Sequence, residues 1–261
     1  MDPRPVGMFD SGIGGLSVLR AFQAIAPSER VLYFADTAFF PYGPRPAPEV
    51  RKRAFAIVHR LQQAGAKLVV VACNTASAAA IDDLRQMFDI PFVGMVPGLK
   101  PAAVRSRSGV VAILATPGTL DGGLYARVTE EFGKGVSILD VPGHGLAELV
   151  ERAEHESPVA HSAIREALHA AVARGADAVV LGCTHYHFLA PVIAAEFPGI
   201  AIIDTAEPVA RRAANLLHEL DLSAPGGQAG HLDLIVSSDP SSFRERMQRF
   251  GFAPAAAEVS P

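Results

Sequence analysis

The stretch Leu68-Val-Val-Val-Ala-Cys-Asn-Thr75 is a β-prone apolar run that ends in a cysteine and a polar pair, just before a segment of helical period. A second stretch, Ala178-Val-Val-Leu-Gly-Cys-Thr-His185, repeats this pattern 110 residues later. Val6-Gly-Met-Phe-Asp-Ser11 likewise aligns with Val111-Ala-Ile-Leu-Ala-Thr116 at an offset of 105 residues. The sequence therefore predicts two related halves, each containing a strand that ends at a cysteine.

Short apolar runs alternate with helical segments along most of the chain. We predict buried strands at residues 6–9, 31–34, 68–72, 92–96, 110–115, 136–141, 178–181 and 200–203. Segments of helical period lie between most of them, at residues 16–26, 48–64, 75–88 and 159–174. This alternation is typical of an α/β fold with mainly parallel, doubly wound sheets. In such sheets, ligands bind outside the carboxyl ends of the strands.

We predict domain boundaries near Pro97 and Asp204. Residues 1–97 and 205–261 would form a first α/β domain, and residues 98–204 would form a second. Three further segments are predicted from their composition. The proline-dense residues 41–48 should lie extended over the surface, residues 223–230 should form a turn-rich connection, and residues 254–261 should form a frayed tail.

The composition predicts a protein that binds small molecules. A net charge of -4 gives no basic field, so neither nucleic acid nor a membrane surface is expected as a partner. The chain has no apolar run of about 18 residues and no signal-peptide pattern, so we expect a cytoplasmic location. In that reducing compartment Cys73 and Cys183, the only cysteines, should be free thiols.

The turn Asp10-Ser-Gly-Ile-Gly-Gly15 follows the first predicted strand and opens a helix. It lacks the third glycine of a dinucleotide fingerprint and the Lys-Ser or Lys-Thr of a phosphate loop, so no nucleotide is expected. Its glycines allow a sharp turn with exposed amides, which suits an anion such as a carboxylate. Asp10 would repel phosphate but could serve as a base or as the partner of an ammonium group.

Each cysteine lies at a predicted strand end before a helix, where the helix dipole favours negative charge. We therefore expect the pKa of each thiol to be lowered from about 8.5 towards neutrality, so that it can act as a base. His185 could stabilise a thiolate at Cys183, and Asp10 could play the corresponding part for Cys73 if strands one and three are neighbours. The alternative is that each cysteine is a small buried hydrophobic residue.

Metal and pyridoxal phosphate chemistry have little support in the sequence. Cys183-Thr-His-Tyr-His187 supplies at most three zinc ligands and lacks a C-x-x-C partner, so no metal is expected. A pyridoxal phosphate enzyme needs a lysine for its Schiff base, and none of the four lysines lies in a polar motif at a strand end. We therefore predict chemistry without a cofactor.

Four motifs resemble those of bacterial glutamate racemases, in the order and spacing of that family. They are Phe9-Asp-Ser-Gly-Ile-Gly-Gly-Leu-Ser17, Tyr33-Phe-Ala-Asp-Thr37 with Pro41-Tyr-Gly43, Val71-Ala-Cys-Asn-Thr75 and Gly182-Cys-Thr-His-Tyr186. Weaker similarity at residues 115–119 and 238–240 extends the resemblance over nearly the whole chain. The resemblance implies two pseudo-symmetric α/β domains that face each other across a central cleft.

The resemblance also implies roles for individual residues. Cys73 and Cys183 would be the two acid/base residues, assisted by Asp10 and His185. The substrate-binding set would be Asp10, Ser11, Tyr42, Gly43, Asn74, Thr75, Thr116, Thr119, Thr184 and His185. Around Glu151 the spacing departs from the family's, which leaves two roles open, a support for His185 or an acid on a helix surface. His187 stands where the family commonly has proline.

The implied activity is the interconversion of L-glutamate and D-glutamate without a cofactor, which would supply D-glutamate for peptidoglycan synthesis. Two thiols on opposite faces of the substrate would exchange its α-proton. One alternative is an aspartate racemase, which differs in pocket size. Another is a non-catalytic amino-acid-binding protein, which would need the anion-binding turns but not two cysteines. The oligomeric state is open, with a homodimer as the candidate.

Overall fold

The computed structural model describes residues 1–227 and 229–252 of the chain. These residues form two sheets in which every strand pair is parallel. The strands are β1 Val6–Asp10, β2 Val31–Ala35, β3 Leu68–Val71, β4 Phe92–Gly94, β5 Val110–Ala115, β6 Ser137–Pro142, β7 Ala178–Gly182, β8 Ala201–Ile203 and β9 Leu232–Val236. The predicted α/β fold with mainly parallel sheets is confirmed.

The two sheets share one strand order. The first sheet runs β4-β3-β1-β2-β9, and the second, taken from its β8 edge, runs β8-β7-β5-β6. β1 and β5 therefore occupy equivalent positions, as do β3 and β7, the strands that precede Cys73 and Cys183. The first sheet has one additional strand, β9, at its edge. This equivalence accounts for the repeat in the sequence.

Helices connect most of the strands. They are α1 Leu16–Ile25, α2 Ala47–Gln63, α3 Asn74–Met87, α4 Leu99–Arg105, α5 Pro117–Leu120, α6 Gly123–Phe132, α7 Leu146–Glu151, α8 Pro158–Ala173, α9 Ala190–Glu196, α10 Ala206–Glu219 and α11 Pro240–Arg249, with a 3₁₀ helix at Thr184–Leu189. The four predicted helical segments correspond to α1, α2, α3 and α8. None of the helices in the described ranges is both long and apolar enough to cross a bilayer.

Helices cover both faces of the first sheet. Met8 of β1 belongs to the same buried cluster as Leu19 of α1. The next residue, Phe9, lies in a different cluster with Ile57 of α2. Every residue of β1 is buried, because a parallel strand between two helical layers has no solvent face. This packing holds the carboxyl ends of the strands in place, and the polar residues that follow them are held with it.

We predicted that the proline-dense segment lies extended over the surface, and only part of it does so: Pro44, Pro46 and Pro48 are exposed, whereas Tyr42 and Gly43 are buried. Tyr42 is 2% exposed. Its hydroxyl donates a 2.5 Å hydrogen bond to Asp36, which is fully buried. α2 also begins at Ala47, inside the predicted loop. A buried hydroxyl needs a partner, and the bond to Asp36 holds the segment against the end of the first sheet.

The predictions for the last part of the chain and for the domain boundaries have the following outcomes. Residues 223–227, 229 and 230 form an irregular connection between α10 and β9. The predicted tail at 254–261 lies outside the described residues. Strand β9 belongs to the first sheet together with the four strands β1, β2, β3 and β4, whereas β5 to β8 form the second sheet. The domain division near Pro97 and Asp204 is compatible with this membership and stays a prediction.

Candidate active site

The polar residues singled out in the sequence follow equivalent strands of the two sheets. Asp10 is the last residue of β1, and Cys73 lies two residues after β3. Thr116 and Cys183 directly follow β5 and β7. β1 pairs with β3 and β5 pairs with β7, so the strand ends that carry these residues are neighbours in each sheet.

Both cysteines line one cavity of about 90 Å³, between the carboxyl ends of the two sheets. Most of the predicted site residues line the same cavity, namely Ser11, Tyr42, Gly43, Asn74, Thr75, Thr116, Thr184 and His185. Asp10 and Thr119 do not line it and lie behind its wall. Asp10 contacts Ser11 and Thr184, and Thr119 contacts Thr75 and Thr116, all of which line the cavity. The predicted substrate contacts of Asp10 and Thr119 stay predictions.

Asp10 is fully buried and holds residues from both halves of the site. It accepts hydrogen bonds from Ser11 Oγ at 3.0 Å and from Thr184 Oγ1 at 2.8 Å. Burial raises the pKa of Asp10, although the charge of His185 and these hydrogen bonds act in the opposite direction. Asp10 therefore joins the turn after β1 to the segment after β7.

The expected lowering of the Cys73 pKa is wrong. Burial raises the pKa of the Cys73 thiol well above its ordinary value, and the nearby charge of Asp10 adds to the rise. The backbone amides of Ala76 and Ser11 favour the thiolate, but they do not offset the loss of water. The predicted neighbour relation with Asp10 holds, but the charge of Asp10 raises the pKa of the Cys73 thiol instead of lowering it.

Cys183 has a histidine partner that is itself held by a carboxylate. His185 Nδ1 lies 3.8 Å from Cys183 Sγ, and His185 Nε2 lies 3.0 Å from Glu151 Oε1. Burial disfavours charge on His185, but its contacts with Cys183 and Glu151 outweigh burial and raise the pKa of the imidazole well above its usual value. Of the two roles left open for Glu151, the helix-surface role is wrong, since the residue is 6% exposed and supports His185.

Asn74 brings an unused amide to the cavity. Neither its Nδ2 nor its Oδ1 has a hydrogen-bond partner within residues 1–227 and 229–252, although both atoms are buried. A buried amide without partners is costly, and a polar ligand would satisfy it. Beside it, the hydroxyls of Thr75, Thr116 and Thr119 form a group, with 2.8 Å between the Oγ1 atoms of Thr75 and Thr116. These atoms suit a carboxylate.

The glycine-rich turn after β1 packs tightly against the second half of the molecule. A Cβ at Gly12 would overlap the carboxylate of Glu151, and one at Gly14 would overlap the ring of His185. The amide of Ile13, between them, donates to Glu151 Oε1 at 2.6 Å. The glycines therefore allow the backbone of the turn to approach Glu151 and His185 closely. The Ile13 amide binds a carboxylate of the protein itself and not one of a ligand.

Replacing Gly14 with alanine tests this close approach. A Cβ there would lie 2.7 Å from both His185 Cε1 and Thr184 Oγ1. We expect a loss of about 1–3 kcal/mol in the free energy of unfolding, measured by urea denaturation, because an overpacked core shifts its neighbours. The matched control is Gly123→Ala, where nothing lies within 4 Å of the new Cβ. Equal stability of the two variants would contradict the packing role.

Sequence reasoning missed several residues of the cavity wall. Gly143, His144 and Glu148 line it, and so does Tyr186, whose hydroxyl donates to the carbonyl of Gly143 at 2.7 Å. Tyr186 belongs to the fourth motif, but the motif gave it no role. No motif pointed to the other three, because the connection between β6 and α7 departs from the family pattern. His187 lies elsewhere, with Nδ1 3.5 Å from Asp204. In the described part of the chain no three His, Cys, Asp or Glu side chains are grouped to hold a metal ion.

Comparisons with known sequences extend the motif evidence. The model of the Asp/Glu/Hydantoin racemase family matches residues 16–213. A glutamate racemase of Deinococcus radiodurans is 44% identical over 98% of this chain and 90% of its own length. One of Pseudomonas putida is 43% identical over 92% of this chain and 91% of its own.

Solved structures give the same result. A glutamate racemase from Thermus thermophilus, in complex with β-chloro-D-alanine, has a TM-score of 0.85 and 36% identity, covering 100% of this chain and 98% of its own. The Escherichia coli glutamate racemase, in complex with L-glutamate and the activator UDP-MurNAc-Ala, has a TM-score of 0.84 and 33% identity, covering 98% of each chain. An aspartate racemase homologue from Pyrococcus horikoshii is 18% identical, covers 82% of this chain and 99% of its own, has a TM-score of 0.53, and is alike in fold alone.

The two related sheets and the matched model define a racemase, which is an isomerase. The chain belongs to the Asp/Glu/Hydantoin racemase family. The resemblance predicted from the four motifs is thereby confirmed. The roles of the individual site residues stay predictions.

Proposed function

We propose that this chain interconverts L-glutamate and D-glutamate by exchanging the α-proton with two thiols, Cys73 and Cys183, without a cofactor. The observation that carries the proposal is that both thiols, from equivalent strand ends of the two sheets, line one cavity. Racemisation requires that a proton leave one face of Cα and another arrive at the opposite face. Two acid/base groups from opposing halves of a cavity are the simplest arrangement that meets this requirement.

The resting enzyme has one thiolate and one thiol. His185 carries the positive charge, because its pKa is raised by its contacts with Cys183 and Glu151. An imidazolium beside Cys183 stabilises the thiolate of that residue. Within the described ranges no cationic side chain is paired with Cys73, and its raised pKa keeps it protonated. Cys183 is therefore the base and Cys73 the acid in the first half of the reaction.

The proton transfers balance over one turnover. The Cys183 thiolate takes the α-proton and becomes a thiol, and the electron pair left on Cα is delocalised into the α-carboxylate. The Cys73 thiol then gives its proton to the opposite face of Cα and becomes a thiolate. The reverse reaction exchanges the two roles. Exchange of protons with water returns the enzyme to its resting state.

The carbanion requires stabilisation, since no cofactor accepts its electrons. The unpaired amide of Asn74 and the hydroxyls of Thr75 and Thr116 lie in the cavity wall and can hold the carboxylate of the substrate. Fixed donors in a small, buried cavity stabilise developing charge more than water does, because they need no reorganisation. A hydrogen bond from Asn74 to the substrate carboxylate would also give this buried amide the partner that it lacks among the described residues.

Glutamate is favoured over aspartate as the substrate. Relatives named glutamate racemase are 43–44% identical to this chain, whereas the likeness to an aspartate racemase homologue extends to the fold alone. A purely binding protein would have no use for a second thiol in the cavity. The same proposal includes a cytoplasmic location and a supply of D-glutamate for peptidoglycan synthesis.

Proton NMR of L-glutamate incubated with the protein in deuterated water tests the function. We expect the Cα–H signal to disappear, because each turnover passes through a carbanion that takes its proton from an exchanged thiol. Circular dichroism of the same sample should show the two enantiomers reaching equal amounts. Aspartate under the same conditions is the control for substrate class. A protein that binds glutamate without washing out the α-proton would contradict catalysis, and faster exchange with aspartate would favour the alternative substrate.

A further inference from the structure

Helix α11 presents one face to the rest of the molecule. Phe243 and Met247 are 0% and 2% exposed. Phe250, just after the helix, stacks on His155 with ring centroids 4.5 Å apart. Residues 243, 247 and 250 recur at helical spacing, and Arg246 lies on the same face. Arg246 therefore points inward, and its side chain is 23% exposed.

Arg246 ends a chain of four side chains that leads to Cys183. Arg246 Nη1 lies 3.1 Å from Glu151 Oε2. The other oxygen of Glu151 faces His185 Nε2 at 3.0 Å, and the opposite nitrogen of that ring faces Cys183 Sγ at 3.8 Å. Each carboxylate oxygen of Glu151 thus has a different cationic neighbour, which fixes the carboxylate in both position and orientation.

We propose that Arg246 is a positioning residue of the racemase site, which acts on Cys183 through Glu151 and His185. The inference rests on the proposed function and deepens it. Arg246 does not line the cavity, and it lies beyond residues 16–213, the part of the chain that the family model matches. The C-terminal helix would thus complete the site without touching the substrate.

Glu151 has a physical need for a second cation. It is the last residue of α7, where a carboxylate meets the negative end of the helix. It is also buried, and a buried carboxylate requires both charge and hydrogen-bond partners. His185 alone would have to balance Glu151 and a thiolate at Cys183 together. With Arg246 in place, the charges of the four groups are paired.

The groups around Glu151 determine the expected pH dependence. His185 from the 3₁₀ helix and Arg246 from α11 contact it, and Asp10 at the end of β1 and Tyr33 of β2 are near enough to interact with its charge. Burial raises the pKa of Glu151, but His185, the Ile13 amide and Arg246 together outweigh burial and hold it below its ordinary value. Removing Arg246 should therefore raise the pKa of Glu151, and activity should be lost at a higher pH as the solution is acidified.

Arg246→Gln tests the inference, with Arg249→Gln as the matched control on the same helix. Arg249 is exposed and makes no ion pair with any residue in the described ranges. We expect R246Q to lower kcat about tenfold, to leave KM for glutamate nearly unchanged and to move the acid limb of the kcat profile to higher pH. R246K should recover part of the rate, and R249Q should match the wild type. An R246Q variant with the kcat and acid limb of R249Q would overturn the inference.

Two further measurements separate positioning from a loss of folding. If Arg246 acts through Glu151, R246Q should reduce kcat no further in an E151Q background, and an equal reduction in both backgrounds overturns the inference. The ¹³Cδ shift of Glu151, assigned by comparison with E151Q, should titrate at higher pH in R246Q than in the wild type. An unchanged titration also overturns it. The titration of the Glu151 ¹³Cδ shift does not require an active enzyme. A wild type that fails to exchange the α-proton would therefore refute the proposed function, whereas the titration would still decide whether Arg246 acts on Glu151.

Discussion

We expect Cys73→Ala to lose racemase activity in both directions, with a fall in kcat/KM of at least about 10³, because no other acid reaches that face of Cα in the proposed mechanism. The two directions must fall together, since the enantiomers have equal free energies and the ratio of their kcat/KM values is fixed at one. Circular dichroism of the amino acid, started from each enantiomer in turn, measures both rates.

Cys73→Ser is the companion variant, since it keeps the size of the side chain and a hydrogen-bond donor. A hydroxyl is a far weaker acid than a thiol, so this variant should also be nearly inactive. Thermal unfolding of both variants should stay close to that of the wild type, because one small buried atom is removed or exchanged. Retention of the wild-type rate by the alanine variant would end the two-thiol proposal.

His185→Asn has the second largest expected effect, a fall in kcat of about 10²–10⁴. The variant lacks the imidazolium that stabilises the Cys183 thiolate in the proposed resting state. Its residual rate should rise with pH. In the proposed resting state of the wild type, His185 holds the proton that would otherwise be on Cys183, whereas in the variant solvent must remove that proton. The pH profile of kcat, measured alongside the wild type, checks both the size of the fall and its direction.

His231→Asn is the matched control for this variant. His231 Nε2 lies 3.0 Å from Asp233 Oδ1, the same separation as between His185 and Glu151, but the ring is exposed and away from the cavity. The control should keep the wild-type kcat and pH profile. If His185→Asn behaves in the same way, the proposed part of His185 in activating Cys183 is wrong.

Most strands could be predicted from the sequence because a parallel strand buried on both faces is a continuous apolar run. β9 was not predicted, because its apolar run is not continuous. Its Asp233 interrupts the run, which the sheet tolerates because β9 is an edge strand and Asp233 contacts Arg30 and His231 near the surface. α11 was also missed, since it is polar apart from the face that holds Phe243 and Met247.

The candidate site divides in a similar way. The repeat pointed to Cys73 and Cys183 because each follows an equivalent strand, and strand ends are visible in the sequence. The direction of the Cys73 pKa was not visible, because it depends on burial and on Asp10, and the structure shows burial to exceed the effect of the helix end. The role of Glu151 rests on its contact with His185, 34 positions away, and the Ile13 amide that also holds its carboxylate lies 138 positions away. Spacing within a motif reveals neither contact.

β9 has a consequence for how the molecule is made. It pairs with β2, and the neighbouring bond between Thr37 and Ser238 joins positions 201 residues apart. A ribosome therefore releases the whole second sheet before it releases the strand that covers the β2 edge. Until then that edge offers unpaired amides and carbonyls to any nearby chain. The last strand to be synthesised among the described residues is the one that protects the nascent protein from pairing with its neighbours.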